Sequence, residues 1–179
     1  MAADHPWSLL ISPPASGARN MALDHALLDL AAGRGVTVLR LYRWNPPCLS
    51  LGRNEPARRY APARIAALGI DVVRRPTGGR AVWHEHELTY AIAMPAAGLG
   101  SIADTVAMIH AIFADALRTL GLTATPAPRR PAARPDAGAC FAAPMGGELL
   151  IGGKKVLGSA QLRERGALLQ HGALLLDGD

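Results

Sequence analysis

Apolar residues along this chain follow two rhythms, and each rhythm predicts a different element. Short runs of β-branched or alternating apolar residues, WSLLI (Trp7 to Ile11), VTVLRLY (Val36 to Tyr42) and IDVVRR (Ile70 to Arg75), predict strands. Between the first two, NMALDHALLDLAAG spaces Met21, Leu23, Leu27, Leu28 and Leu30 at roughly helical intervals and ends on Gly33, a C-terminal stop signal. A shorter helix is predicted over ARIAALG and a strand over LTYAIAM. The clearest helix is SIADTVAMIHAIFADALRTLG, opened by Ser101 and Asp104 in capping positions and closed at Gly121.

The rhythm then stops. ATPAPRRPAARPDAGA is too rich in Pro, Ala and Arg to form a core element and predicts an exposed loop. Beyond it, GELLIGGKKVLGSAQ alternates with period two around Gly152 and Gly153, and GALLQHGALLLDG follows after RERG, so this part predicts an antiparallel meander. Together the elements imply an α+β fold: a mixed, largely antiparallel β-sheet flanked by helices. No internal repeat breaks the chain, so a single domain over residues 1–179 is the expectation.

Composition narrows the function classes. No apolar run approaches the length of a membrane span and no basic leader precedes the first apolar patch, so a cytoplasmic protein with no membrane partner is expected. Two cysteines, Cys48 and Cys140, lack CxxC spacing and are too few for a disulfide framework. The net charge of +5 favours acidic partners, but aromatics are only 4% of residues and do not interleave with the arginines. A nucleic-acid partner is therefore not expected.

Most of the chemistry-bearing residues crowd into RRPTGGRAVWHEHELTY, Arg74 to Tyr90. On one strand, His84 and His86 would project from the same face as an HxH metal pair needs, with His171 as the available third ligand. An edge strand with its polar residues toward water is the stronger reading, and no metal is assigned. Gly78 and Gly79 read locally as a hairpin turn. Flanked by Arg74, Arg75 and Arg80, their backbone N–H groups could also hold an anion or a carbonyl oxygen. The segment GKKVLGSA has GxxxxG spacing, but Ser159 and Ala160 stand where a P-loop needs Lys and Ser or Thr.

Three motifs, RRPTGGRAVWHEHELTY, GGKKVLGSAQ and LLQHGALLL, in this order and spacing, resemble the biotin/lipoate A/B protein ligase family. The resemblance covers most of the chain from NMALDHALL onward and implies the family's catalytic-domain fold, which is class II synthetase-like. Arg80 after the Gly pair, ELTY, and a cysteine in ACFAAP ahead of the lysine segment are most similar to octanoyltransferases of the LipM type; lipoate ligases more often carry a third glycine where Arg80 stands. Compared with that family the chain ends early, shortly after LLQHGALLLDGD, without the C-terminal helices usual there. Either a fragment or a compact variant is implied.

The resemblance implies octanoyl transfer from acyl carrier protein to a lysine of a lipoyl-domain protein, such as the glycine cleavage H protein, through an enzyme thioester. Cys140 matches the thioester cysteine, and thiol exchange nearly preserves the acyl group's energy, so amide formation afterwards is downhill without ATP. Strand alternation puts Lys154 and Lys155 on opposite faces, and the family pattern selects Lys155 to orient the carbonyl and relay protons. Arg75, Thr77, Gly78, Gly79 and Arg80 would wall the acyl pocket, with His84 shaping it. Gly158, Ser159 and Ala160 would pass close to the acyl chain, with His171 and Gly172 on the neighbouring strand. No cofactor is expected on this reading. An ATP-dependent lipoate ligase, which would need ATP and Mg, is the alternative, and a non-catalytic acyl- or partner-binding domain is the third. Cys48 is expected to be an ordinary buried thiol.

Overall fold

The computed structural model describes residues 6–128 and 147–177. Within them, β1 (Trp7–Ile11), β2 (Thr37–Tyr42), β6 (Glu87–Pro95), β7 (Thr125–Pro126), β8 (Leu149–Ile151), β9 (Lys154–Glu164) and β10 (Ala167–Leu175) form a seven-stranded sheet in the order β1-β2-β6-β10-β9-β8-β7. Only β1 and β2 run parallel in it; the other neighbours are antiparallel, and β8, β9 and β10 are the expected meander. Its turns fall at Gly152 and Gly153, both at positive φ, and at Arg165–Gly166. A second sheet holds β3 (Cys48–Leu51) between β4 (Asp71–Arg74) and β5 (Val82–His84).

Alternation on β6 explains the two-sided core. Ala91 and Ala93 face α1 (Gly17–Arg34), whose Met21, Leu27, Leu28 and Ala31 pack over them with Leu169 of β10. Tyr90 and Ile92 face the opposite side, where Ile109 and Leu117 of α3 (Ile102–Thr119) meet Leu149 and Leu157. Small residues on the α1 side let that helix lie close, while the α3 side is filled by larger ones. Ser101 caps α3 as predicted: its hydroxyl accepts from the Asp104 N–H, and the Asp104 carboxylate accepts from the Ser101 N–H. The predicted first helix is longer than its apolar rhythm, because Ser16 caps it four residues ahead of Asn20 and Gly35 closes it in the left-handed conformation. The short α2 (Pro62–Ala67) lies where ARIAALG predicts a helix.

Two local expectations change. The Gly78–Gly79 segment is not a hairpin turn, because β4 and β5 do not pair with each other; β3 lies between them, parallel to one and antiparallel to the other. The segment is instead a loop crossing the end of the small sheet. HEHE is not one strand either. The chain turns at Glu85 and His86 between β5 and β6, leaving His84 buried while the His86 side chain is 73% exposed, so they share no face. No described helix is long and apolar enough to cross a membrane.

Candidate functional site

A cleft opens where the small sheet meets β9 and β10 of the large one, about 620 Å³ of space when the solvent at its mouth is included. One wall is apolar, with Met21, Tyr42, Trp44, Val82 and Ala173; the other brings together many of the residues singled out in the sequence.

Lys155 lies at the cleft, its side chain only 4% exposed, with Nζ 2.6 Å from the Glu148 carboxylate. Strand alternation works as expected: Lys154, its neighbour on the turn, is exposed. A methyl group added at Gly158 would sit 2.7 Å from Lys155 Cε and 2.9 Å from Nζ, so the missing side chain is the space the ammonium occupies. Glu148 has no counterpart in the sequence expectations. The only local hint is the GELLIGGKK hairpin, which folds the Glu148 end of β8 back over β9.

Arg75 organises the glycine segment rather than reaching out of it. Its guanidinium donates to the carbonyls of Ser50, Gly78 and Arg80 and to the Ser50 hydroxyl. Arg75 and Gly79 line the cleft, while Gly78 and Arg80 contribute carbonyls that hold Arg75. Gly52 packs so tightly under Gly79 that a Cβ there would overlap the Gly79 carbonyl oxygen. Thr77 is fully buried and bonds His171 Nε2 at 2.6 Å.

Both cleft histidines are fixed by carboxylates. His171 Nδ1 lies 3.1 Å from Asp24, which also accepts from Arg40 and from the Tyr42 hydroxyl. Carboxylates only accept, so Nδ1 carries the proton and, in the neutral ring, Nε2 accepts from the Thr77 hydroxyl. By the same logic His84 donates from Nδ1 to Glu87 at 2.5 Å and accepts from the Ser50 hydroxyl at 2.7 Å, with Trp44 stacked on its ring. Burial, reinforced by Asp24, pushes the Tyr42 hydroxyl up, so it remains a donor. Asp24 and Ser50 escaped sequence reasoning because their partners lie far away in the chain; Asp24 and His171 are 147 positions apart. Glu87 escaped it for another reason: its partner His84 is only three positions away, across the turn that the HEHE strand reading did not include.

Gly158, Ser159, Ala160, His171 and Gly172 all line the cleft. At Gly172 a Cβ would meet the Gly158 carbonyl oxygen at 2.5 Å and Ser159 Oγ at 2.8 Å, so glycine is what allows β9 and β10 to close here. Among the described residues no group of three or more His, Cys, Asp or Glu side chains has metal-binding geometry. Cys48 is fully buried, and burial, with Asp71 adding to it, pushes its thiol up to about 12. Such a thiol stays protonated and is no nucleophile. Cys140, the expected thioester residue, lies outside the described residues.

Residues 16–179 match the model of the lipoyl protein ligase A/B catalytic domain. The octanoyltransferase LipM of Kyrpidia tusciae is 41% identical over 158 residues, 82% of this chain and 57% of that protein. The octanoyltransferase LipM of Carboxydothermus hydrogenoformans is 50% identical over 88 residues, 48% of this chain and 33% of that protein. The chain thus spans only part of these relatives' length. Among solved structures, a putative lipoate protein ligase from T. acidophilum superposes with a TM-score of 0.79 at 25% identity, covering 96% of this chain and 69% of that one.

Proposed function

We propose that this chain, which belongs to the lipoyl protein ligase A/B catalytic-domain family, works as an octanoyltransferase of lipoate biosynthesis, with acyl carrier protein as donor and a lipoyl-domain protein as acceptor. The observation that carries this reading is the buried Lys155–Glu148 pair beside a cleft with one apolar wall. The octanoyl chain lies against that wall. Lys155 donates hydrogen bonds to the thioester carbonyl, stabilising charge as it develops on the oxygen.

The Cys140 thiolate attacks the carbonyl, the C–S bond to the carrier's thiol breaks, and the proton released by Cys140 goes to that leaving thiolate. The acceptor lysine's neutral amine then attacks the enzyme thioester. An amide forms, the C–S bond to Cys140 breaks, and the amine's proton returns to the thiolate. No nucleotide is consumed, and no metal or other cofactor takes part.

A second reading, ATP-dependent ligation of free lipoate or octanoate, is favoured by the likeness to a putative lipoate protein ligase at 25% identity. One experiment separates them. Intact-protein mass spectrometry after mixing with octanoyl-loaded acyl carrier protein, without ATP, is expected to show a hydroxylamine-labile octanoyl adduct on the wild type and none on Cys140→Ala. An adduct that forms only with ATP and free acid would establish the ligase instead.

A further inference from the structure

His110 has no part in the chemistry above, yet it is a buried titratable group held on the α3 side of the sheet. It is 2% exposed, in the middle of α3, and bonded at both ring nitrogens: Nδ1 to the Gly147 carbonyl at 2.5 Å and Nε2 to Ser159 Oγ at 2.5 Å. A carbonyl only accepts, so Nδ1 carries the proton. In the neutral ring Nε2 must then accept from the Ser159 hydroxyl.

That one assignment fixes every other link in a chain of hydrogen bonds. With its proton committed to His110, Ser159 Oγ accepts from the Tyr90 hydroxyl at 2.7 Å, and the Tyr90 oxygen accepts from Gln170 Nε2 at 2.9 Å. Gln170 Oε1 accepts from Gln161, whose own Oε1 accepts from Arg163. Arg163 also donates to the carbonyls of Gly100 and Ser101 at the start of α3. The chain runs in a single direction and ends on the carbonyl of Gly147. Glu148, the next residue, holds Lys155.

We propose that neutral His110 is a positioning residue that holds the Gly147–Glu148 segment and β9 at Ser159 so that Glu148 places the Lys155 ammonium in the cleft. The assignment to acyl transfer rests on the function proposed above; the placement of Lys155 does not. The charged and titratable groups linked to His110 are Lys155 on β9, which acts on it by charge, Glu148 beside its Gly147 partner, Tyr90 on β6 through Ser159, and Arg163 on β9 at the far end of the chain of bonds. Burial, with Lys155 adding to it, lowers the His110 pKa, while the Gly147 carbonyl acts in the opposite sense. Protonation would turn Nε2 into a donor, so Ser159 Oγ would accept from it and the Ser159 hydroxyl proton would have to turn toward Tyr90, which already accepts from Gln170 and would lose Ser159 as the acceptor of its own proton. It would also set a second positive charge near Lys155.

The test compares the wild type with His110→Gln and His110→Ala. Gln keeps a donor and an acceptor but cannot titrate. The expected result is that His110→Ala lowers kcat about tenfold at pH 7.5, on the scale of one lost buried hydrogen bond, with a smaller change in KM. His110→Gln should recover part of this loss and remove the acid limb of the kcat profile below pH 6.5. A second readout needs no turnover: acetic anhydride labelling of Lys155, followed by peptide mass spectrometry, should speed up in folded His110→Ala and return toward the wild-type rate in His110→Gln. Unchanged labelling in a folded His110→Ala, or an acid limb that persists in His110→Gln, would overturn the proposal. Altered labelling in a protein whose wild type transfers no octanoyl group would instead refute the proposed function and leave the positioning role standing.

Discussion

A lysine side chain 4% exposed is rare, and Lys155 is sustained there by the Glu148 carboxylate 2.6 Å away. Glu148→Gln keeps the shape and removes that charge, so unfolding should become easier by about 3 kcal/mol in urea titrations, the scale for breaking a buried pair. Lys155→Met keeps the stem and removes both the charge and the proton source. It leaves the Glu148 carboxylate buried without its cation, so it too should unfold more easily by about 3 kcal/mol, while octanoyl transfer by the folded protein falls at least ~100-fold, as expected when a donor to the developing oxyanion is lost. At Cys48 the expectation is the reverse. A thiol pushed up to about 12 should resist iodoacetamide at pH 8 in the folded protein and react only after denaturation, as mass spectrometry of the peptide would show. His110 adds a pH signature to stability. Its pKa is depressed in the folded chain, so between the folded and unfolded values the unfolded chain binds more protons. Its contribution is therefore complete above pH 6.5 and is lost as pH falls through the depressed folded value. Urea midpoints of wild type and His110→Gln should accordingly converge on acidification.

At the scale of elements, two neighbouring glycines separate packing from chemistry. A Cβ at Gly172 meets the Gly158 carbonyl, part of a paired strand that cannot retreat, whereas a Cβ at Gly158 meets the flexible end of Lys155. Gly172→Ala should therefore lower the melting temperature markedly. Gly158→Ala should leave it within a few degrees, since ~1 kcal/mol corresponds to only ~2–8 °C in a domain of this size range, yet reduce kcat by moving the lysine. Such pairs were half legible in the sequence. Period-two alternation around Gly152 and Gly153 announced β8 and β9 and put Lys154 and Lys155 on opposite faces, the family pattern selecting Lys155, and the Ser101–Asp104 spacing announced the start of α3. Both are local signals. The small sheet was less legible: CLSL is four residues long and follows a proline pair, so its apolar rhythm is too short to distinguish β3 from a loop. Glu148, Asp24, Glu87 and His110 were missed for a related reason. Asp24 and His110 act on partners that tertiary folding brings close, Glu87 and Glu148 on partners brought back by a local turn, and a lone carboxylate or histidine in sequence has no period to betray it.

At the scale of the whole molecule, charge and cleft make separable demands on a substrate. The net charge of +5 includes exposed arginines near the cleft's flank, among them Arg53 and Arg74, with Arg58 and Arg59 on the short turn beyond β3. Arg53 and Arg74 line a shallow second hollow together with Arg75 and His25. A large acidic carrier would meet this field before its acyl group enters the cleft, and attraction between exposed charges fades beyond ~8 Å at physiological ionic strength. A small acyl thioester with no protein attached would be drawn in by the apolar wall alone. Raising salt from about 50 to 500 mM should therefore lower kcat/KM for octanoyl-loaded carrier protein by roughly tenfold through slower association. The value for a neutral octanoyl thioester should hold or rise slightly, because salt strengthens apolar burial. Arg53→Glu together with Arg58→Glu should reproduce the loss at low salt and flatten the salt dependence. Equal sensitivity of both donors would place the recognition inside the cleft, at Arg75 and Lys155, and leave the outer arginines to solubility alone.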